Sequence, residues 1–314
     1  MIFDYSLADK QRAKCPLCDG TTFTRLASVD RYGMGVCTVA CNVCGFITTD
    51  PVLSGPDLDK FYREQYRSVY SKVDFPSHRY ILKNGIDRRA EYIANFVVEK
   101  ADFPFAARVL DVGCAEGSVL RAIRHLRPNW VTLGVEPGAF GEFAKGHAGC
   151  DVVPSLEQTP LRTYDLVLLN HVLEHAQDPL ALLRDLRDRL APSGKLFVDV
   201  PDAVAYSTID DLHVAHVHHF TPTSLRRLGA RAGLRCILLE QHRPPRHPRS
   251  VRCLFEQIEG VEEVDNLEPN VDDREAACGI RAIGSDGVLP TLRRWAPARK
   301  MRGLLQKAVD VVVS

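Results

Sequence analysis

Two Cys-x-x-Cys pairs near the start of the sequence have the spacing of a metal site. They are separated by 22 residues, and their members are Cys15, Cys18, Cys41 and Cys44. Gly20 and Gly45 follow them closely and let the backbone turn its amides toward the sulfur atoms. Four thiolates at about 2.3 Å would fill the coordination sphere of Zn²⁺ and leave no position for water. The spacing predicts a structural zinc ribbon, with two disulfides or a redox pair as the alternatives.

A second pattern joins an acidic residue to a run of small residues between an apolar and a helical segment. Its members are Asp111, Gly113, Cys114, Ala115 and Gly117. Glycines permit tight turns and close approach, and the first amides of a helix have no partner within it. The pattern therefore predicts a cradle for a nucleotide-like ligand. Dinucleotide folds use similar glycines, but a carboxylate at Asp111 would repel a pyrophosphate and attract an ammonium group.

A second carboxylate completes this interpretation. Glu136, followed by Pro137, ends the next apolar segment, and an acid in that position can accept hydrogen bonds from both ribose hydroxyls. Together with the loop after Asp111, it predicts a site for an aminoacyl nucleoside.

Four histidines fall within the seven positions 213–219, where a strand is expected to end. Open α/β sheets bind ligands at this edge, and imidazole can accept a proton near neutral pH. We expect His216 to act as a general base, aided by His213 or His219. The alternatives are a metal ion shared by two of these histidines and simple capping of backbone groups, which we favour for His218.

Composition limits the class of partner. The 314 residues carry 40 basic and 40 acidic side chains, so no net charge draws the chain to nucleic acid. A small or neutral substrate is expected. No stretch approaches about 18 apolar residues, and the start of the sequence has no export signal, so we expect a cytoplasmic protein without a membrane partner.

Apolar strands alternate with helical stretches from about residue 108 onward. This alternation predicts an α/β fold with a doubly wound, mostly parallel sheet of seven strands that ends in an antiparallel pair. We expect four units: a ribbon over 1–50, a helical linker or lid over 51–104, a nucleoside-binding domain over 105–259 and a helical extension over 260–314. The linker begins with a helix from Asp57 that carries Tyr62, Tyr66 and Tyr70 on one face, and one further helix over about 78–100 follows.

The acid-and-glycine loop, the acid ending the second strand and the segment Tyr164–Pro179 together resemble the class I S-adenosylmethionine-dependent methyltransferases. Ala115 replaces the middle glycine of their first motif. The resemblance implies a Rossmann-like fold and S-adenosylmethionine as cofactor, with Asn170 and His171 beside the sulfonium. It also implies that Asp151 or the turn at 155–157 lies near the adenine. Glu174 and His175 would either fix this loop or act directly.

The order of a four-cysteine ribbon, a tyrosine-rich helix and this motif set is similar to sugar C-methyltransferases and their glycan and natural-product relatives. His216 and Phe220 match the Glu-His-x-x-Tyr-Phe segment of that family, whereas Ala215 and His219 depart from it. The resemblance implies methyl transfer to a carbon or oxygen of a small acceptor, a sugar or nucleotide sugar. The chain after the last strand is short for a C-methyltransferase, so oxygen fits equally well.

Two other functions remain open at this stage. A ribosomal-RNA methyltransferase can carry a similar ribbon and would need a basic face, for which Arg243, Arg246 and Arg249 are the candidates. A zinc-bearing scaffold could keep the fold without catalysis.

Overall fold

The computed structural model describes residues 8–11, 14–61, 73, 75–100, 102–258 and 268–286. A seven-stranded sheet forms its centre. Its strands are β6 (Arg108–Val112), β7 (Val131–Val135), β8 (Asp151–Val153), β9 (Tyr164–Asn170), β10 (Leu190–Pro201), β12 (Leu234–His242) and β13 (Ser250–Gln257). They lie in the order β12-β13-β10-β9-β6-β7-β8.

The five strands from β10 to β8 are parallel, and β13 pairs antiparallel with both β10 and β12. The predicted doubly wound fold with a final antiparallel pair is therefore confirmed. The seventh strand is β8, which is too short to give an apolar pattern in the sequence.

The described helices are α1 (Gly55–Phe61), α2 (His78–Asn84), α3 (Ile86–Glu99), α4 (Ser118–Leu126), α5 (Gly138–Ala144), α6 (Pro179–Arg189), α7 (Pro222–Arg231) and α8 (Val271–Asp286). Several of them cover the two faces of this sheet. Leucines of α6 and α7 pack on one face, whereas apolar residues of α3 and α4 pack on the other. A parallel sheet must be covered in this way, because both of its faces are apolar.

We expected a single helix over 78–100, and this prediction is wrong because α2 and α3 are separate helices. Gly85 has a φ of +63°, and its backbone N–H donates hydrogen bonds to the carbonyl oxygens of Ile81 and Leu82. A glycine in this left-handed conformation commonly ends a helix, and here it ends α2. Of the aromatic helix expected after Asp57, α1 is described; Tyr62, Tyr66 and Tyr70 lie outside the described residues.

The ribbon contains β2 (Phe23–Ala27), β3 (Thr38–Cys41) and β4 (Ile47–Thr49), while β1 (Lys10–Gln11) pairs with β5 (Val52–Leu53). A fourth strand, β11 (His218–His219), comes from the histidine segment and pairs antiparallel with β4. The ribbon sheet is therefore completed by the domain that we predicted to begin at residue 105.

Helix α8 lies against the ribbon and not against the central sheet. Ala276 and Ile280 pack in one apolar cluster with Leu26, Ala27 and Ile47. Apart from α8 and residues 268–270, the predicted C-terminal extension lies outside the described residues. Among the helices that the structure describes, none has the length and apolarity needed to cross a bilayer.

Candidate functional site

A cavity of about 710 Å³ opens at the carboxyl ends of β6, β7 and β9. Helices α2 and α3 cover it from the other side through Tyr80, Ile86 and Arg89. Parallel strands end at a common edge, so the loops that follow them converge on one place. The cavity therefore lies where an open α/β sheet is expected to bind its ligand.

The loop after β6 owes its shape to backbone conformations that few residues adopt. Gly113 has a φ of +72°, and a Cβ there would lie 2.5 Å from Cγ2 of Val172, so only glycine fits without displacement. Ala115 has a φ of +48°, at the position where the resembling family has glycine. Its amide donates a hydrogen bond of 3.2 Å to Oε2 of Glu136, which ties the loop to the end of β7.

The structure brings nearly all predicted cofactor residues to this cavity. Those that line it are Asp111, Gly113, Cys114, Ala115, Glu136, Pro137, Asn170 and His171. Gly117 is not among the lining residues. A Cβ there would lie 3.0 Å from that of Ala148 and 3.1 Å from that of Ala144, so Gly117 lets α4 pack closely. Asp151 and the turn at 155–157, expected near the adenine, do not line it either.

Three carboxylates define what we call the donor end of the cavity: Asp111, Glu116 and Glu136. Burial raises the pKa of Asp111 well above its ordinary value, and the charges of Glu116 and Glu136 raise it further. A cation placed among these groups would relieve their repulsion, whereas a pyrophosphate would add to it. The donor end thus has the electrostatics of a site for a positively charged ligand.

Three imidazoles also line the cavity and form what we call its histidine end: His171, His175 and His247. Burial lowers the pKa of His171, but its hydrogen bond of 3.2 Å to Glu174 and the charge of that residue outweigh burial, so the net shift is upward. Burial lowers the pKa of His247 well below the ordinary value, and the charges of His171 and Arg89 act in the same direction. His247 is therefore neutral near pH 7.

Arg89 and His247 line the cavity although the sequence analysis did not single them out. Arg89 is the one Arg or Lys among the described residues that line the cavity, and it lies on α3, where the sequence pattern indicated only the buried apolar face. His247 lies in the loop that carries Arg243, Arg246 and Arg249, the candidates for an RNA-binding face. In that loop, Arg246 donates to the carbonyl of Lys83, and Nε of Arg249 lies 3.5 Å from Asp202.

The three predicted catalytic histidines lie beside the cavity and not on its wall. The ring of His216 packs against those of His175 and His213, with centroids 4.9 and 3.5 Å apart. Burial, followed by the charges of neighbouring imidazoles, lowers the pKa of His216 well below its ordinary value. His219 is buried, and its Nδ1 lies 3.2 Å from the hydroxyl of Tyr206. Among these residues, His216 is in contact with the cavity wall through His175.

The fourth histidine of the segment, His218, has the structural role expected of it. Its Nδ1 shares a hydrogen bond of 3.0 Å with the hydroxyl of Thr48, which also donates to the carbonyl of Val217. These contacts join β11 to β4 inside the protein.

The four ribbon cysteines are brought together as predicted. Their sulfur atoms lie within 4.8 Å of one another, with 3.4 Å between Cys15 and Cys44 and 3.5 Å between Cys18 and Cys41. A Cβ at Gly20 would lie 3.1 Å from Sγ of Cys18 and 3.2 Å from Sγ of Cys41, so a side chain at this position would crowd the cluster. The donor set and its compactness fit a tetrahedral ion.

A doubly wound α/β domain with an acidic cavity at the carboxyl edge of its sheet is the architecture of the Rossmann-like methyltransferases. Within that class, a family model described as a methyltransferase domain matches residues 79–239, and the chain belongs to this family. The resemblance inferred from the motifs is thereby confirmed.

Two curated relatives illustrate the similarity. The ubiquinone biosynthesis O-methyltransferase of Vibrio campbellii is 34% identical over 113 residues, which cover 33% of this chain and 47% of that protein. The corresponding protein of Aeromonas salmonicida is 26% identical over 162 residues, or 45% of this chain and 68% of that protein. The chain thus spans about half the length of the first relative and two thirds of the second.

Solved structures extend the likeness at the level of the fold. The mitomycin 7-O-methyltransferase matches with a TM-score of 0.50 and 18% identity, over 64% of this chain and 60% of that one. The 1,6-didemethyltoxoflavin-N1-methyltransferase of Burkholderia thailandensis matches with a TM-score of 0.50 and 17% identity, over 71% of this chain and 96% of that one.

Replacing Asp111 by Asn should weaken donor binding and stabilise the protein. Loss of a charged hydrogen bond costs about 1.5–3 kcal/mol, which lowers affinity about ten- to a hundredfold. Because folding raises the pKa of Asp111, wild-type stability falls as pH rises above about 3.9, the ordinary value, and Asn removes this loss. Calorimetry with S-adenosylhomocysteine and urea unfolding at several pH values measure both effects.

Asp151→Asn is the matched control, since that carboxylate is exposed and does not line the cavity. Donor affinity that survives in Asp111→Asn, or a variant that is less stable than wild type at pH 7, would contradict the role given to this carboxylate.

Proposed function

We propose that this chain transfers the methyl group of S-adenosylmethionine to an oxygen or carbon of a small acceptor. The observation that carries the proposal is a single cavity whose wall carries both the carboxylates of the donor end and the imidazoles of the histidine end. The donor is a cation with ribose hydroxyls and an amino-acid part, which the carboxylates suit. Oxygen is favoured because the curated relatives are named as O-methyltransferases.

In this proposal each donor group meets a side chain of complementary chemistry. Asp111 accepts from the ammonium group and Glu136 from the ribose hydroxyls, while the loop at 113–117 encloses the amino-acid part. Asn170 and His171 lie beside the sulfonium. Arg89 supplies the positive charge that the donor's carboxylate requires.

The transfer itself is a displacement in which the acceptor atom attacks the methyl carbon and the sulfur leaves as a neutral thioether. Such a reaction asks the protein for alignment, exclusion of water and removal of one proton. We propose that the histidine cluster takes this proton by way of His175, which lines the cavity, with His216 behind it as the general base and His213 or His219 in support. His175, between His216 and the cavity, is the imidazole that meets the acceptor.

The acceptor class is inferred from chemistry and resemblance. The ribbon, the tyrosine-rich segment and the histidine segment favour a glycosyl or natural-product acceptor, and the names of the relatives favour a small hydroxylated molecule. An RNA acceptor is less well supported, because Arg246 and Arg249 are engaged with the protein itself. A non-catalytic scaffold would not need a cavity whose wall carries both ends.

We also propose that the cysteine cluster holds one structural Zn²⁺. Four thiolates leave no open position, so such an ion would contribute to folding and not to the reaction.

Two measurements test the proposed reaction. Calorimetry should show that the zinc-loaded protein binds S-adenosylmethionine and S-adenosylhomocysteine but not NAD. Mass spectrometry with methyl-labelled donor should then show a gain of one methyl in candidate nucleotide sugars or small phenolic acceptors. Failure to bind either donor compound would exclude methyl transfer, and RNA binding that weakens steeply with salt would favour the RNA alternative.

His216→Ala should lower turnover at least about a hundredfold, the size of a general-base contribution, and leave donor affinity largely intact. Donor affinity should be kept because His216 is not among the residues that line the cavity. Turnover and donor affinity are measured on the same preparation. His125→Ala is the matched control, because His125 is exposed on α4; a turnover of the His216 variant equal to that of the control would remove His216 from the mechanism.

Cys41→Ser should release most of the ribbon zinc and lower the melting temperature, since three thiolates do not complete the tetrahedral set. Metal content by mass spectrometry and thermal unfolding measure the two effects. Cys278→Ser is the control, because Cys278 is exposed on α8 and belongs to neither group of potential ligands among the described residues. Full zinc content in Cys41→Ser would show that the cluster is not the metal site.

A further inference from the structure

A second group of potential metal ligands lies beside the histidine end of the cavity. Glu174 and His175 belong to a single helical turn after β9, and His216 comes from the segment that precedes β11. One ligand atom from each of these three residues lies within 4.8 Å of the others. No pattern in the sequence joins them, because the two segments are about 40 residues apart along the chain.

The distances within this group suit a shared ion better than hydrogen bonds. Oε1 of Glu174 lies 3.8 Å from Nε2 of His175 and 3.9 Å from Nε2 of His216. Hydrogen bonds between such atoms have heavy-atom distances of about 2.7–3.2 Å, so neither contact is one. Ligand atoms bound at about 2.0–2.2 Å to the same ion lie about 3–4 Å apart, which is the separation of Oε1 of Glu174 from each of the two imidazole nitrogens.

The ring of His175 is oriented as a metal ligand usually is. Its Nδ1 donates a hydrogen bond of 2.8 Å to the carbonyl oxygen of Ala215. In the neutral ring this leaves the lone pair on Nε2, the atom that faces Glu174. Metal-bound histidines almost always donate their other nitrogen to a carbonyl or carboxylate in this way.

Among the described residues, Glu174 and His216 each have a buried polar atom without a hydrogen bond. The side chain of Glu174 is 1% exposed, and its Oε2 has no hydrogen-bond partner there. Nδ1 of His216 has none either, so no contact prevents it from carrying the proton of the neutral ring, which leaves the lone pair on Nε2, the atom that faces Glu174. His171 contacts Oε1 of Glu174 at 3.2 Å, which holds the carboxylate in place but does not satisfy its second oxygen. A buried carboxylate with an orphaned oxygen is costly unless a cation neutralises it.

The group borders the cavity through His175, which lines it, whereas Glu174 and His216 are not among the lining residues. Two imidazoles and one carboxylate form an incomplete set, and such sets in catalytic metal sites leave a position for water or substrate. An ion held by this set would keep such a position and would lie next to the cavity.

We propose that Glu174, His175 and His216 bind one divalent transition-metal ion, such as Mn²⁺, Fe²⁺ or Zn²⁺, and that the methyl acceptor binds this ion through a hydroxyl oxygen. The inference rests on the proposed function and assigns His216 to the metal in place of the proton. The hydroxyl loses its proton to solvent on binding the ion, the oxygen attacks the methyl carbon, and the carbon–sulfur bond breaks to leave S-adenosylhomocysteine. The acceptor class is therefore a hydroxylated molecule and not a carbon nucleophile.

Titration of the zinc-loaded protein with MnCl₂ tests this site separately from the ribbon. Mn²⁺ prefers carboxylate and imidazole ligands and does not compete for four thiolates. The electron paramagnetic resonance signal of free Mn²⁺ should report one bound equivalent in wild type. His175→Gln, His216→Gln and Glu174→Gln should each lower this affinity at least tenfold, while His125→Gln binds as wild type does. Circular dichroism and ribbon zinc content verify that each variant is folded.

Wild-type protein that binds no Mn²⁺, Co²⁺ or Zn²⁺ beyond the ribbon equivalent would overturn the inference. The same would follow if folded His175→Gln and His216→Gln bound Mn²⁺ as tightly as wild type. Calorimetry with S-adenosylhomocysteine on the same samples separates this failure from that of the proposed function. Donor binding without Mn²⁺ binding removes only the metal, whereas loss of donor binding in wild type removes methyl transfer itself.

Discussion

The parallel register of three neighbouring strands is the constraint on which the site depends. Asp111 of β6 pairs with Gly134 of β7 and with Leu168 of β9, so the three strands end almost level with one another. The carboxylates after β6 and β7 and the amide and imidazole after β9 therefore reach one cavity. A shift of one residue in either pairing would turn these side chains to opposite faces of the sheet.

The two ends of the cavity carry different ionisable side chains, carboxylates at the donor end and imidazoles at the histidine end. At the donor end, Asp111 remains close to two other carboxylates at a cost that appears as its raised pKa. At the histidine end, burial keeps His247 neutral, while Glu174 raises the pKa of His171. The carboxylates favour a cationic donor, and a neutral imidazole favours an acceptor that must lose a proton.

The ribbon helps to position the segment that carries the histidines. Strand β4 pairs with β11, and the ring of Phe46 packs edge-on against that of Phe220, with centroids 5.6 Å apart. The segment that carries His213 and His216 is thereby held between the ribbon and the central sheet. A structural ion in the ribbon would stabilise the position of these histidines without touching the reaction.

The sequence by itself determined the local features: the paired cysteines, the acid and small residues after β6, Glu136 and the alternation of strands with helices. These are set by backbone conformation, by burial on one face and by ligand spacing, all of which leave a periodic or short-range pattern.

The sequence analysis missed β8, which is too short for such a pattern, and the break at Gly85, where the apolar face continues across two helices. Only the tertiary structure decided which side chains meet: Arg89 and His247 on the cavity wall, His175 in front of His216, and Glu174 beside both histidines. Those proximities arise from strand register and helix packing between segments distant in the chain, and no local pattern records them.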